Sequence, residues 1–102
     1  MAKVSVYAKM TAQAGKGDEL VAAFEDELKA VADEAGTLVY AMNRVADNRD
    51  IIWFFELYAD RDALTAHGGS ETMRATFPKL AGLLDGRPEI VVSELVGGKG
   101  LE

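Results

Sequence analysis

Two side chains of this sequence could move a proton near neutral pH, and both stand in apolar surroundings. His67 is the only histidine, and imidazole is the side chain whose unperturbed pKa lies closest to neutrality. With Ala63 and Leu64 it falls on one side of a short helical stretch, so its ring is expected to face the interior. There it could act as a general base or hydrogen-bond donor. It could equally be a core or capping histidine bonded to a backbone carbonyl or to Glu56. Glu56 interrupts the apolar run from Ile51 to Tyr58, where a carboxylate is costly unless paired. It could orient His67 and fix its tautomer, or serve as a base with a raised pKa. It could also pair with Arg44 across a hairpin, or with Arg74.

The remaining inventory excludes more than it offers. There is no cysteine, which removes disulfides, thiol nucleophiles and every cysteine-based zinc or iron–sulfur site. One histidine cannot make a histidine-rich metal centre. Asp60 and Asp62 read as helix-start charges, not metal ligands. Gly15-Lys16-Gly17 lacks the spacing of a phosphate-binding loop and is a helix start. The serines and threonines have no hydrolase context. A net charge of −6 argues against nucleic-acid or anionic-membrane binding, which need basic patches. No apolar run approaches the ~18 residues of a membrane span, and no signal peptide is evident. The expectation is a small cytoplasmic domain with no metal and no organic cofactor.

The chain has 102 residues, 49% of them hydrophobic and 27% charged, enough for one core without cross-links. Val4, Val6, Ala8 and Met10 alternate with polar neighbours and predict a strand. Asp18 and Glu19 suit the positive end of a helix in which Leu20, Val21, Phe24, Leu28, Val31 and Ala35 share a face, with Gly36 as the stop. Thr37 to Val45 and Ile51 to Tyr58 are strands joined through the turn Asp47-Asn48-Arg49-Asp50. Asp60 can cap a helix ending at His67. Ser70 can cap its continuation, where Met73, Phe77, Leu80 and Leu84 share a face and Pro78 starts a kink or a new turn. Glu89 to Val96 is the last strand. The order βαββαβ is the α+β, ferredoxin-like arrangement, an antiparallel four-stranded sheet with its helices on one face. Residues 1–97 form that domain and 98–102 a flexible tail.

A sheet covered on one side should alternate apolar with polar, yet Ile51-Ile52-Trp53-Phe54-Phe55 does not. Its second face therefore carries large apolar groups, including Trp53 and Phe55. A patch of that kind is usually a partner surface. The expectation is a homodimer packed sheet against sheet, with Trp53 as an anchor; the alternative is a C-terminal tail folded back over the face.

The segments Gly36-Thr37-Leu38-Val39-Tyr40 and Glu56-Leu57-Tyr58-Ala59-Asp60, the Ala66-His67 helix end and the Gly15-to-Leu20 helix start together resemble the antibiotic biosynthesis monooxygenase (ABM) family. The resemblance covers essentially the whole chain and implies a dimeric α+β barrel. Its members include cofactor-independent monooxygenases of quinols and anthrones, haem-degrading oxygenases, isomerases and proteins of no known activity. The positions used for haem degradation correspond here to Ala8, His67 and Phe77, and phenylalanine cannot ligate iron. A second histidine found in many members is replaced by Thr72. Phe54 stands where some anthrone oxidisers carry an asparagine. The resemblance implies His67 and Glu56 as catalytic residues, and Tyr58, Phe54, Tyr40, Ala8 and Phe77 as walls for a small aromatic substrate. The reaction it implies is oxidation of a quinol-like molecule by O2, with an isomerase or aromatic-binding role as the alternative.

Overall fold

A computed structural model describes residues 2–101; the outer ends of the expected domain and tail, Met1 and Glu102, lie outside the described residues. The elements run β1 (Val4–Thr11), α1 (Gly17–Ala23), α2 (Glu25–Ala30), β2 (Thr37–Arg44), β3 (Ile51–Tyr58), α3 (Arg61–Gly68), α4 (Glu71–Thr76) and β4 (Glu89–Glu94). The strands form one antiparallel sheet in the order β2-β3-β1-β4. This is the expected α+β arrangement.

Strand parity decides which side chains become core. Val4, Val6, Ala8 and Met10 of β1 and Ile52, Phe54, Glu56 and Tyr58 of β3 pair in register and are all buried on the helix-covered face. Of the opposite parity, Tyr7, Trp53 and Val91 are exposed, with Tyr7 paired to both Phe55 and Val91. The C-terminal segment does return to the sheet's end, where Lys3 Nζ donates to the Leu101 carbonyl at 3.3 Å. It leaves Tyr7, Trp53 and Val91 uncovered.

The first helical segment differs from the expected single helix ending at Gly36. It breaks at Phe24, whose φ of −96° and ψ of 4° leave the helical region; its N–H bonds the Val21 carbonyl three residues back. Phe24 is buried with its ring 4.8 Å from that of Phe54. A tightened turn brings residue i+3, not i+4, beneath residue i. Glu27 therefore takes the interior place below Phe24, and Leu28, expected in the core, is exposed. A short 3-10 turn, Val31–Asp33, completes the segment.

The other helices start where the sequence indicates. Asp60 accepts from Ala63 N–H at 2.8 Å and Ser70 from Met73 N–H at 3.2 Å, each side chain satisfying a donor left open at a helix start. Pro78 lies in a 3-10 turn, Phe77–Leu80, a place where its missing N–H costs nothing.

Asp50 ties the β2–β3 turn to the start of α1, accepting from Gly15 N–H at 3.0 Å and Gly17 N–H at 2.9 Å. A Cβ at Gly17 would collide with the Arg49 carbonyl and lie 2.5 Å from the Arg44 guanidinium. Gly68, at the end of α3, has open space where its Cβ would stand. Gly17→Ala should cost about 1–3 kcal/mol, as overpacking does, whereas Gly68→Ala should be neutral or slightly stabilising. Urea denaturation of the two variants beside wild type checks the contrast; equal stabilities would refute it.

Candidate functional site

His67 lies in the last turn of α3, whose Asp60 cap fixes the helix start. Ala63 and Leu64 pack against Val4, Val6 and Tyr58, and that contact turns the buried His67 ring inward. Tyr40 and Tyr58 flank it, with ring centroids at 5.0 Å and 5.4 Å.

The ring's polar partner is not the one expected. Nδ1 lies 2.8 Å from Glu34 Oε1 and 3.5 Å from Glu27 Oε1. Glu34 follows the 3-10 turn that ends the first helical segment, and its Oε1 also accepts from Thr37 Oγ1 at 2.7 Å. An ionised carboxylate only accepts hydrogen bonds, so Glu34 places the imidazole proton on Nδ1. Nε2 then remains as the nitrogen with a free lone pair. Glu27 is fully buried and neither of its oxygens has a hydrogen-bond partner. Burial pushes its pKa up, opposed by His67 and reinforced by Glu34 and Glu56.

Glu56 does not hold His67. It accepts a hydrogen bond from the Tyr58 hydroxyl, two residues along β3 and on the same face. Neither arginine reaches it: Arg44 pairs with Asp18 at 2.8 Å and donates to the Arg49 carbonyl, and Arg74 forms no ion pair among the described residues. Desolvation raises the Glu56 pKa, against the lowering effects of the Tyr58 hydrogen bond and His67. Burial also raises both phenols, Tyr58 with help from its bond to Glu56 and Tyr40 with help from the Glu56 charge. Both stay protonated donors at any ordinary pH.

A cavity of about 200 Å³ lies between the sheet and α3–α4, with Ala8, Tyr40, Phe54, Glu56, His67 and Phe77 in its wall. Six of the seven residues singled out from the sequence thus surround one space. Tyr58 does not line it: its ring is buried behind Glu56 and beside His67. Phe77 is 59% exposed, so it forms the rim and not the buried face expected with Leu80. Beside it the rim is completed by Ile90 and Val92 of β4, which no helix covers.

Glu27 and Glu34 were not legible as site residues. Glu27 reads as a solvated helix position until the turn at Phe24 is known. Glu34 reads as part of the helix end. The available signal was the Glu27–Glu34 spacing of two helical turns, which is common on solvated faces and carries little weight by itself.

This fold and enclosed site define a class, the ferredoxin-like domains with a chamber between sheet and helices. The family model for antibiotic biosynthesis monooxygenase, ABM, matches residues 3–79, and the chain belongs to that family. A Caulobacter crescentus structure, provisionally assigned as an antibiotic biosynthesis monooxygenase, is 31% identical with a TM-score of 0.87, covering 94% of this chain and 92% of that one. The Mycobacterium tuberculosis protein Rv0793 shares the fold at 22% identity and a TM-score of 0.88, covering 97% of this chain and all of its own (100%). A Nitrosomonas europaea protein of similarly provisional assignment gives 14% identity and a TM-score of 0.89, with 97% and 95% covered. None of the curated proteins is significantly similar to the chain. No described helix is long and apolar enough to cross a membrane.

The raised Glu56 pKa sets a direction for stability. A folded-state pKa above the unfolded one means that the folded protein favours the protonated group. That contribution is full below the ordinary carboxylate range and is lost as pH rises through the folded value. Glu56→Gln keeps an acceptor for Tyr58 and removes the titration. As pH rises above the ordinary carboxylate range its urea midpoint should therefore fall less than that of wild type. An unchanged slope would show that Glu56 is not desolvated in the folded protein.

Proposed function

We propose that the protein is a cofactor-independent monooxygenase that oxidises a small electron-rich aromatic, quinol- or anthrone-like, with O2. The observation that carries this reading is His67. Its ring lies in the wall of an apolar cavity with Nδ1 held by Glu34, so that Nε2 is the free nitrogen. A neutral imidazole in that tautomer is a base ready to take a phenolic proton. The resulting phenolate is itself the reductant. A quinol and O2 give a hydroxyquinone and water, the substrate gaining one oxygen atom and the other leaving as water. The electrons come from the substrate, so the chemistry calls for no flavin or metal. Glu34 stabilises the imidazolium formed when Nε2 takes the proton. Tyr40 and Phe54 offer ring faces to a flat substrate, and the apolar wall keeps water from the anion.

Glu56 would donate to a substrate carbonyl when protonated, with Tyr58 setting its orientation. The exposed Tyr7, Trp53 and Val91 side chains support a sheet-to-sheet homodimer; the proposal places it in the cytoplasm, with a diffusible aromatic as the other partner. Phe54 favours a second reading. It leaves that part of the wall without an amide to stabilise an enolate, which suits a non-oxidative isomerase or aromatic-binding protein. Ligand-induced thermal stabilisation without oxygen uptake would favour this alternative.

Oxygen consumption with a panel of quinols tests the main reading. His67→Ala should lower kcat by about a hundredfold or more, with folding unchanged by circular dichroism. Wild-type turnover in that variant would remove His67 from the mechanism. Sedimentation tests the dimer: wild type should run as a dimer and Trp53→Asp as a monomer. A monomeric wild type would refute the sheet-face interface.

A further inference from the structure

We propose that Glu27, Glu34 and Nδ1 of His67 form a binding site for one divalent transition-metal cation, with zinc the best-suited probe. The starting point is Glu27. Its carboxylate is wholly buried, yet neither oxygen accepts a hydrogen bond, a costly state for a polar group removed from water. Its one ion-pair contact among the described residues is the imidazole Nδ1, 3.5 Å from Oε1 and beyond a good hydrogen bond. Glu34 Oε1 approaches the same nitrogen at 2.8 Å from another side. One ligand atom from each residue lies within 4.8 Å of the others.

Two of the three spacings approach those of a small cation, and the two carboxylates, within 4.8 Å of one another, would close around it. Zinc bound at about 2.0–2.2 Å to nitrogen and oxygen in tetrahedral geometry separates its ligands by about 3.3–3.5 Å. The Nδ1–Glu27 distance already has that value, and the Nδ1–Glu34 distance needs to open by about half an ångström. One imidazole with two carboxylates is a donor set for zinc, cobalt or nickel more than for magnesium or calcium, which prefer all-oxygen shells. The two carboxylate charges neutralise a dication when the imidazole is neutral. Thr37, donating to Glu34 Oε1, orients that ligand from outside the site. A separate cleft of about 160 Å³, bordered by Glu34, Gly36, Ala66, His67 and Ser70, opens beside two of the three ligands.

Binding there moves the ring proton from Nδ1 to Nε2 by way of solvent, with no net loss from the imidazole. The cation takes the Nδ1 lone pair, and the neutral ring then carries its proton on Nε2. If His67 is the base of the proposed reaction, the same cation silences it by turning Nε2 from acceptor to donor. That consequence rests on the proposed function; the site does not.

Calorimetric titration of wild type with zinc chloride should show one ion per chain, and magnesium chloride should give no binding. Glu27→Gln and Glu34→Gln, with near-ultraviolet circular dichroism like wild type, should each weaken zinc by more than about tenfold. Because the chain has one histidine, its ring nitrogens can be followed in wild type without assignment, and zinc should shift the Nδ1 resonance as the ligand. This readout decides the matter even if a variant fails to fold. Absence of zinc binding, coordination through Nε2, or folded Glu27→Gln binding as wild type would overturn the site. None of these results bears on whether the metal-free protein consumes oxygen.

Discussion

Where α3 ends, a histidine ring meets two carboxylates delivered by the segment between α1 and β2, and the site is organised around that buried contact. Glu34 fixes the ring through Nδ1, and Thr37 at the start of β2 fixes Glu34. One chain of hydrogen bonds thereby links the edge strand, the preceding turn and α3. Hydrogen bonds to charged groups contribute more than neutral ones and are correspondingly expensive to break inside a protein. Glu27 raises the stakes, because its carboxylate is buried without a donor of its own. The cost is tolerable only with the imidazole nearby, with a proton, or with a cation.

The cavity follows from the same placement. Tyr40 and Tyr58 enclose the His67 ring from the sheet side, while Phe24 and Phe54 fill the next layer. Polar function is thus confined to a few groups in an apolar wall, the usual composition of a small-molecule site. Two proton-bearing systems share the space without sharing a hydrogen bond. His67 belongs to Glu34 and Glu27, and Glu56 belongs to Tyr58. Their separation leaves the imidazole and Glu56, whose pKa burial raises, without a shared proton.

Much of this arrangement was legible in the residues. Alternation along Val4–Met10 named one wall of the core, and Asp60 and Ser70 marked helix starts that the hydrogen bonds confirm. The position of His67 followed from Ala63 and Leu64 on the same helical side. Its partner did not, since helical periodicity carried past Phe24 predicts Leu28 inside and Glu27 outside. A single tightened turn, imposed where Phe24 packs on Phe54, inverts that assignment. The Glu56–Tyr58 pair was within reach, because residues two apart on a strand face the same way. Arg44 and Arg74 are stronger formal partners for a carboxylate than a phenol is, but neither reaches Glu56. The rim at Ile90 and Val92 depends on which strand the helices leave uncovered, and that is a property of the assembled sheet.

The central claim is that Glu34 holds the imidazole in the tautomer that leaves the Nε2 lone pair free. Nitrogen-15 spectra of the metal-free protein, recorded where His67 is neutral, test it most directly. The account predicts a protonated Nδ1 and an unprotonated Nε2, with the Nδ1 signal moving when Glu34 is changed to glutamine. A neutral ring protonated on Nε2 would contradict it, since its lone pair would then lie on Nδ1 against Glu34.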